Sequence, residues 1–210
     1  MARCVIFAAG DFFGRYERQD GDYIIAADAG YHHLENIGIS PDMLLGDFDT
    51  IGEVPEHKNK KTFPKDKDYT DTELAIIEGV NLGYSEFIIY GALGGKRLEH
   101  TLCNIKMCES YTKKGYSLML SDGNYYLTAI DSSKIEFSED ETGFISIFSM
   151  SESAKSVSIK GLKYELDDAD IDSMNPTLCV SNEFIGKKAE ISVKDGCIII
   201  IWQRNYKNEA

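Results

Sequence analysis

Acidic side chains in this chain recur where it turns. Asp28 follows the apolar run 23–27, and Asp47 and Asp49 follow the run 43–45 in Gly46-Asp47-Phe48-Asp49. Asp66, Asp68 and Asp71 stand just before and at the start of a helical pattern. Two bare carboxylates about 4 Å apart repel by roughly 1 kcal/mol in water and about 4 kcal/mol at a protein-like effective dielectric. Gathering several of them raises their pKa values or demands a cation. Mg²⁺ suits that demand, because it takes oxygen ligands and binds through one or two carboxylates plus substrate phosphates. The turn Gly91-Ala92-Leu93-Gly94-Gly95 adds backbone donors, and Lys96 and Arg97 follow it. Glycines allow close backbone approach, and a following helix offers its first N–H groups to an anion. Lys65 and Lys67 flank the aspartates at the other helix start. Together these residues suit metal-assisted transfer of a phosphate-containing group from a nucleotide.

Each feature also has an ordinary structural reading. Asp71 suits the first turn of a helix through the macrodipole, Asp28 suits an Asx-turn, and the Lys-rich run 58–67 suits a solvated loop. His32, His33 and His57 have no metal-like company and read as surface residues, whereas His100, on a helix after Arg97-Leu98-Glu99, is a site candidate. It is the joint arrangement that carries the functional reading.

The elements that must position these groups follow from hydrophobic patterning. Apolar runs 5–9, 23–27, 43–45, 87–90 and 117–120 predict strands, and residues 29–36 and 98–114 predict helices. A further helix begins near Thr70, where Thr70-Asp71-Thr72-Glu73 fits a capping box and Gly83 supplies the stop. Alternating strands and helices predict βα units around a mainly parallel sheet, whose ligands bind beyond the carboxyl ends of the strands. After about residue 130 only short β-like runs follow, at 134–137, 143–148, 156–160, 178–180, 189–193 and 197–202, as in a sandwich or small barrel. The expected division is 1–130, an α/β catalytic domain, and 131–210, an all-β domain.

The net charge of −13 argues against nucleic acid or a membrane surface as a partner. No apolar run approaches the roughly 20 residues that span a bilayer. The cysteines at 4, 103, 108, 179 and 197 form no C-x-x-C pair, so neither a zinc knuckle nor a disulfide framework is expected, and the reading is cytoplasmic.

Ala27-Asp28-Ala29-Gly30, Leu45-Gly46-Asp47-Phe48-Asp49-Thr50, Asp66-Lys67-Asp68-Tyr69-Thr70-Asp71 and Gly91-Ala92-Leu93-Gly94-Gly95-Lys96-Arg97-Leu98-Glu99-His100 occur in that order. The ordered set resembles the thiamin pyrophosphokinase family. Gly161-Leu162-Lys163-Tyr164 and Val180-Ser181-Asn182-Glu183-Phe184 are similar to that family's thiamin-side motifs. The resemblance implies a Rossmann-like N-terminal domain, a C-terminal β-sandwich and a homodimer with thiamin held between subunits. It implies the reaction of ATP and thiamin to thiamin diphosphate and AMP, with Mg²⁺. By the same resemblance Asp47, Asp49 and Asp71 are the catalytic and metal-holding residues. Asp28, Gly30, Lys67, Asp68, Thr70, Gly94, Gly95, Arg97, Glu99 and His100 serve ATP, and Tyr164, Ser181 and Asn182 serve thiamin. The family's usual Gly-Gly-Arg-x-Asp-His is altered here, since Lys96 precedes Arg97 and Glu99 stands where Asp is usual. Rival readings are an aspartyl-phosphate phosphatase, from the D-x-D at Asp47 and Asp49, a binding protein without turnover, and a pyrophosphokinase acting on a pterin alcohol.

Overall fold

The computed structural model describes residues 2–49, 56–150 and 152–203. The chain divides into two compact units, Met1–Met107 with Gly115–Gly123, and Cys108–Lys114 with Asn124–Ala210.

In the first unit the strands are β1 (Cys4–Phe7), β2 (Tyr23–Ala27), β3 (Met43–Gly46), β4 (Lys60–Thr62), β5 (Glu86–Tyr90) and β6 (Ser117–Ser121). They pair in parallel, in the order β6-β5-β1-β2-β3-β4. Parallel strands are covered on both faces and so read as unbroken apolar runs, as β1 and β3 do. The helices are α1 (Gly30–Asn36), α2 (Asp71–Asn81) and α3 (Leu98–Lys113), the last continuing into the second unit. Leu34 of α1 packs with Val5, Phe7, Ile24 and Ala26. Gly79 of α2 lies against Cys4 and Phe87, whose side chains alternate to the opposite face. Helices therefore cover both faces. Among the described residues, no helix is long and apolar enough to cross a membrane.

Strand order reverses direction between β5 and β1, so the chain following each of them meets the other at a topological switch point. The segment after β1 is held there from below. Phe12 and Tyr16 pack their rings on Phe7, with centroids 5.4 Å away in both cases. Asp22 anchors the segment's far end. It is buried, accepts from Arg3 Nε at 2.7 Å and from the Tyr16 hydroxyl at 2.6 Å, and takes the Gln19 N–H at 3.0 Å. Burial alone would raise its carboxyl, but these hydrogen bonds outweigh burial and hold it below its ordinary range. The stabilisation is fully present above the usual carboxylate pKa of about 3.9 and is lost as pH falls through the lowered folded-state value. Asp22→Asn is expected to cost about 1–3 kcal/mol at neutral pH. It should also flatten the acid limb of the stability curve, as urea titrations across pH would show.

Two expectations along this unit are corrected. The Lys-rich run 58–67, read as a loop, contains β4, which pairs with β3 at the sheet edge. Its three side chains are all exposed, so its pairing is through the backbone and leaves no hydrophobic pattern. His33, read as a surface residue, is partly buried, and its ring nitrogen lies 2.8 Å from the Gly10 carbonyl.

The second unit contains β7 (Tyr125–Asp131), β8 (Lys134–Phe137), β9 (Phe144–Ser149), β10 (Ser153–Lys160), β11 (Leu166–Asp172), β12 (Asn182–Glu183), β13 (Ala189–Ser192) and β14 (Cys197–Gln203). Antiparallel pairs run in the order β12-β9-β14-β7 and, in a separate sheet, β11-β10-β13-β8. Phe137 of the smaller sheet packs edge-on against Trp202 of the other at 5.3 Å, and Tyr126 stacks on Trp202 at 5.6 Å. The apolar run 178–180 is a turn rather than the expected strand, with Leu178 and Val180 exposed. The strands β7, β11 and β12 lie outside the sequence expectation. In β11 an exposed, Asp-rich face hides the alternation that marks a strand.

Candidate active site

The aspartates are brought together by the carboxyl ends of the parallel strands. Asp28 follows β2 in a left-handed conformation, φ 48°, which Asp tolerates better than most residues. Its N–H donates to the Leu45 carbonyl at 2.8 Å, tying the end of β2 to β3. Gly46 makes the approach feasible, since a Cβ there would stand 3.1 Å from the Asp28 Cα and φ is 149°. Phe48 also takes a left-handed φ of 59°. Such a conformation costs a non-glycine residue about 1–3 kcal/mol. Burial of its ring among Phe7, Tyr16 and Leu44 offsets that with about 1.5–3 kcal/mol. Phe48 thus roots the turn in the core, and Asp47 and Asp49 stand on either side of the root.

Asp71 comes from the start of α2. The Thr70 hydroxyl accepts the Glu73 N–H at 3.2 Å, so the helix begins where the capping residues predict. Carboxylate oxygens of Asp28, Asp47 and Asp71 all lie within 4.8 Å of one another, and each residue is partly buried. The ammonium of Lys67 stands among them, 3.2 Å from Asp47 Oδ2 and 2.8 Å from Asp71 Oδ1. Burial pushes the Asp47 carboxyl up, but the Asp49 N–H and Lys67 outweigh it and hold it below its ordinary range. For Asp71 burial prevails and raises the carboxyl, with Asp47 and Asp28 adding to the push against Lys67. Burial disfavours the charge on Lys67, yet Asp71 and Asp47 keep it firmly protonated.

The donor set fits a hard divalent cation. It consists of carboxylate oxygens, and a cation, the Lys67 ammonium, already stands between two of them. Asp49 is outside this trio and pairs with Lys65 at 2.6 Å, while Asp68 is exposed. Thr50, which closes the D-x-D motif in the sequence, is outside the described residues.

At the neighbouring switch point the glycine turn leans on Asp11, which sequence reasoning missed. The Asp11 carboxylate accepts the Gly95 N–H at 2.7 Å, and a Cβ on Gly94 would stand 2.4 Å from Asp11 Oδ2. The buried Asn104 side chain donates to the Ala92 carbonyl at 2.7 Å, and Thr101 donates to Gly94 at 3.1 Å. The only signal for Asp11 in the sequence was its place just after the first strand. Gly30 is buried, with its Cα against the Phe7 carbonyl. Arg97 and Glu99 are exposed and pair with each other at 2.8 Å, and His100 lies in the first turn of α3.

In the second unit, Tyr164 is 62% exposed. Asn182, only 3% exposed, holds its backbone: Asn182 Nδ2 donates to the Tyr164 carbonyl at 2.7 Å and Oδ1 accepts the Tyr164 N–H at 3.0 Å. Ser181 is exposed, has a φ of 59°, and donates its N–H to Ser146 Oγ at 3.0 Å. The Lys163 ammonium lies 5.8 Å from the Tyr164 ring centroid, so the ring already faces a cation.

The family model described as "Thiamin pyrophosphokinase, catalytic domain" matches residues 16–120. The one described as "Thiamin pyrophosphokinase, vitamin B1 binding domain" matches residues 132–198. The chain is 30% identical over 184 residues to the thiamine pyrophosphokinase of Bacillus subtilis (strain 168), covering 84% of this chain and 85% of that protein. Its fold is similar to the crystal structure of a Bacillus subtilis thiamine pyrophosphokinase, with a TM-score of 0.84 and 24% identity over 98% of this chain and all of that one. It is also similar to the thiamin pyrophosphokinase of Candida albicans, with a TM-score of 0.75 and 14% identity over 97% of this chain and 89% of that one.

Proposed function

The chain belongs to the thiamin pyrophosphokinase family, and from that premise we propose that its aspartate edge holds the Mg²⁺ of a Mg²⁺–ATP donor. It is an ATP-dependent pyrophosphotransferase, moving pyrophosphate from ATP to the thiamin hydroxyl to give thiamin diphosphate and AMP. The phosphatase, binding-protein and pterin readings are not favoured by these relationships. The observation that carries the proposal is the convergence of Asp28, Asp47 and Asp71, two of them paired with Lys67, at the carboxyl edge of a parallel sheet.

In the reaction, the thiamin oxygen forms a bond to the β-phosphorus. The bond from that phosphorus to the oxygen bridging to the α-phosphorus breaks, and AMP leaves with that oxygen. Such transfers depend on positioning and charge stabilisation more than on covalent chemistry. Bound Mg²⁺ would supply positive charge to the triphosphate. Asp28, Asp47 and Asp71 would hold it. In this reading Asp49, outside the trio and beside Lys65, would orient the thiamin hydroxyl and take its proton. Lys67 and Arg97 supply charge to phosphate oxygens. Asp68 and His100 border the nucleotide, as does the glycine turn at Gly94 and Gly95, fixed by Asp11. Thr70 acts through its hydroxyl, which caps the start of α2, and Gly30 by letting α1 approach β1.

We read the first unit as Rossmann-like and the second as a β-sandwich, with nucleotide chemistry in residues 1–130 and thiamin recognition and dimerisation in 131–210. The exposed Tyr164 ring suits the thiamin cation, Ser181 a hydrogen bond to its pyrimidine, and Asn182 serves that site by anchoring the Tyr164 backbone. The assembly in this reading is a homodimer with thiamin between subunits. The free cysteines suit the reducing cytoplasm. Incubating the protein with Mg²⁺, ATP and thiamin should yield thiamin diphosphate and AMP by mass analysis. Free phosphate and ADP as the products, or no turnover, would refute the assignment.

A further inference from the structure

We propose that Lys67 is an exchangeable counter-ion, whose ammonium holds the carboxylate cluster of the metal-free protein and is displaced when the divalent cation enters. The inference rests on the reading of that cluster as the metal site and adds a regulation of it. Lys67 Nζ contacts one oxygen of Asp47 and one of Asp71, with its side chain only 12% exposed. Those two residues and Asp28 supply the trio of mutually close oxygens. A protonated ammonium has donors but no lone pair, so it cannot join a metal's coordination shell. Each carboxylate keeps a second oxygen, but a divalent cation seated among the three residues would stand within a few ångströms of the ammonium that contacts two of them, and the two like charges repel. One must leave for the other to bind.

Lys65, by contrast, pairs with Asp49 outside the trio and is largely exposed, so it does not block the site. Two consequences follow from the exchange. The like charges are compensated before any ligand arrives, which keeps the cluster assembled. The bare cation also binds more weakly than the carboxylates alone would allow, because it must first displace Lys67. The released ammonium, on a flexible four-carbon stem, is then available to a phosphate oxygen. A cation arriving with its nucleotide therefore gives Lys67 a new anionic partner, whereas a bare cation does not.

The test uses Mn²⁺ as the probe and the full chain without nucleotide. The Mn²⁺ affinity of wild type, K67M and D47N is read from the free-ion electron paramagnetic resonance signal. K67M should bind Mn²⁺ on the order of tenfold tighter than wild type, within the range typical of coupled sites, and D47N should bind more weakly. Amine acylation of wild type, quantified by mass spectrometry, separates displacement from a simple change of background charge. Mn²⁺ should accelerate labelling of Lys67 while leaving Lys61 and Lys194, paired with Glu78 and Asp168, unchanged. Wild-type binding with no gain in K67M, or with Lys67 labelling unchanged or slowed, would overturn the exchange and leave the metal site standing. Absence of Mn²⁺ binding in every variant would remove both.

Discussion

Asp47→Asn is expected to lower turnover by on the order of 10²–10³-fold while costing the folded protein little stability. Loss of groups that support a metal ligand costs roughly 10–100-fold, and loss of one preorganised electrostatic contact roughly 10²–10³-fold. A ligand itself belongs at the upper end. Stability is spared for an electrostatic reason. Asp47 contributes attraction to Lys67 at 3.2 Å but repulsion toward Asp28 and Asp71. Asn keeps the shape of the side chain and removes both effects, and Lys67 retains Asp71 at 2.8 Å. Steady-state kinetics over a wide Mg²⁺ range, beside a urea titration, would check the split. Near-normal activity at all Mg²⁺ concentrations would remove Asp47 from the metal site, and parallel loss of activity and stability would make it a structural residue.

Gly30→Ala should be strongly damaging for folding. A Cβ at that position would stand 1.9 Å from the Phe7 carbonyl oxygen and 2.9 Å from the Ala8 nitrogen. Both neighbours are backbone in or beside β1, a strand paired on both sides. Neither can yield without moving the sheet or the start of α1. Overpacking in a well-ordered interior costs about 1–3 kcal/mol and sometimes more. With no flexible side chain to give way, about 3 kcal/mol or more is expected here. Gly38→Ala is the control: it has a left-handed φ of 70° but nothing within 4 Å of its Cβ. It should therefore cost only about 1 kcal/mol of backbone strain. Denaturant midpoints for the two variants would separate crowding from strain. Comparable losses would mean that α1 adjusts its seat on β1 freely. Because Gly30 lies two residues beyond Asp28, the variant also tests whether tight packing of α1 keeps the aspartate trio in register.

Local chemistry made much of the first unit legible. The runs around Val5, Ile24, Leu44 and Ile88 are apolar without interruption because parallel strands are buried on both faces. Thr70 and Glu73 marked the start of α2 because a capping hydrogen bond involves residues three apart. The strand β4 escaped notice because a solvent-facing edge strand pairs through its backbone and needs no apolar side chains. The same holds for β11, where Asp168 and Asp170 instead pair with Lys194 and Lys155 across exposed surface. Leu178 and Val180 misled in the other direction, since an apolar triplet in an exposed turn carries no period.

What the sequence determined by itself was which residues could do the chemistry. Carboxylates placed after strands and ahead of a helix, with glycines and lysines nearby, narrow the chemistry to metal and polyphosphate whatever the distances between them. Only the tertiary structure decided which of them lie together. Asp28, rather than Asp49, joins Asp47 and Asp71, because the Asp28 N–H is tied to Leu45 and Gly46 lets the two strand ends meet. Asp11 and His33 acquire roles because the sheet sets β1 beside β5 and α1 beneath the segment that follows β1. Distances of a few ångströms between residues twenty to eighty positions apart depend on strand order and register, which are properties of the packed chain and not of any local stretch of it.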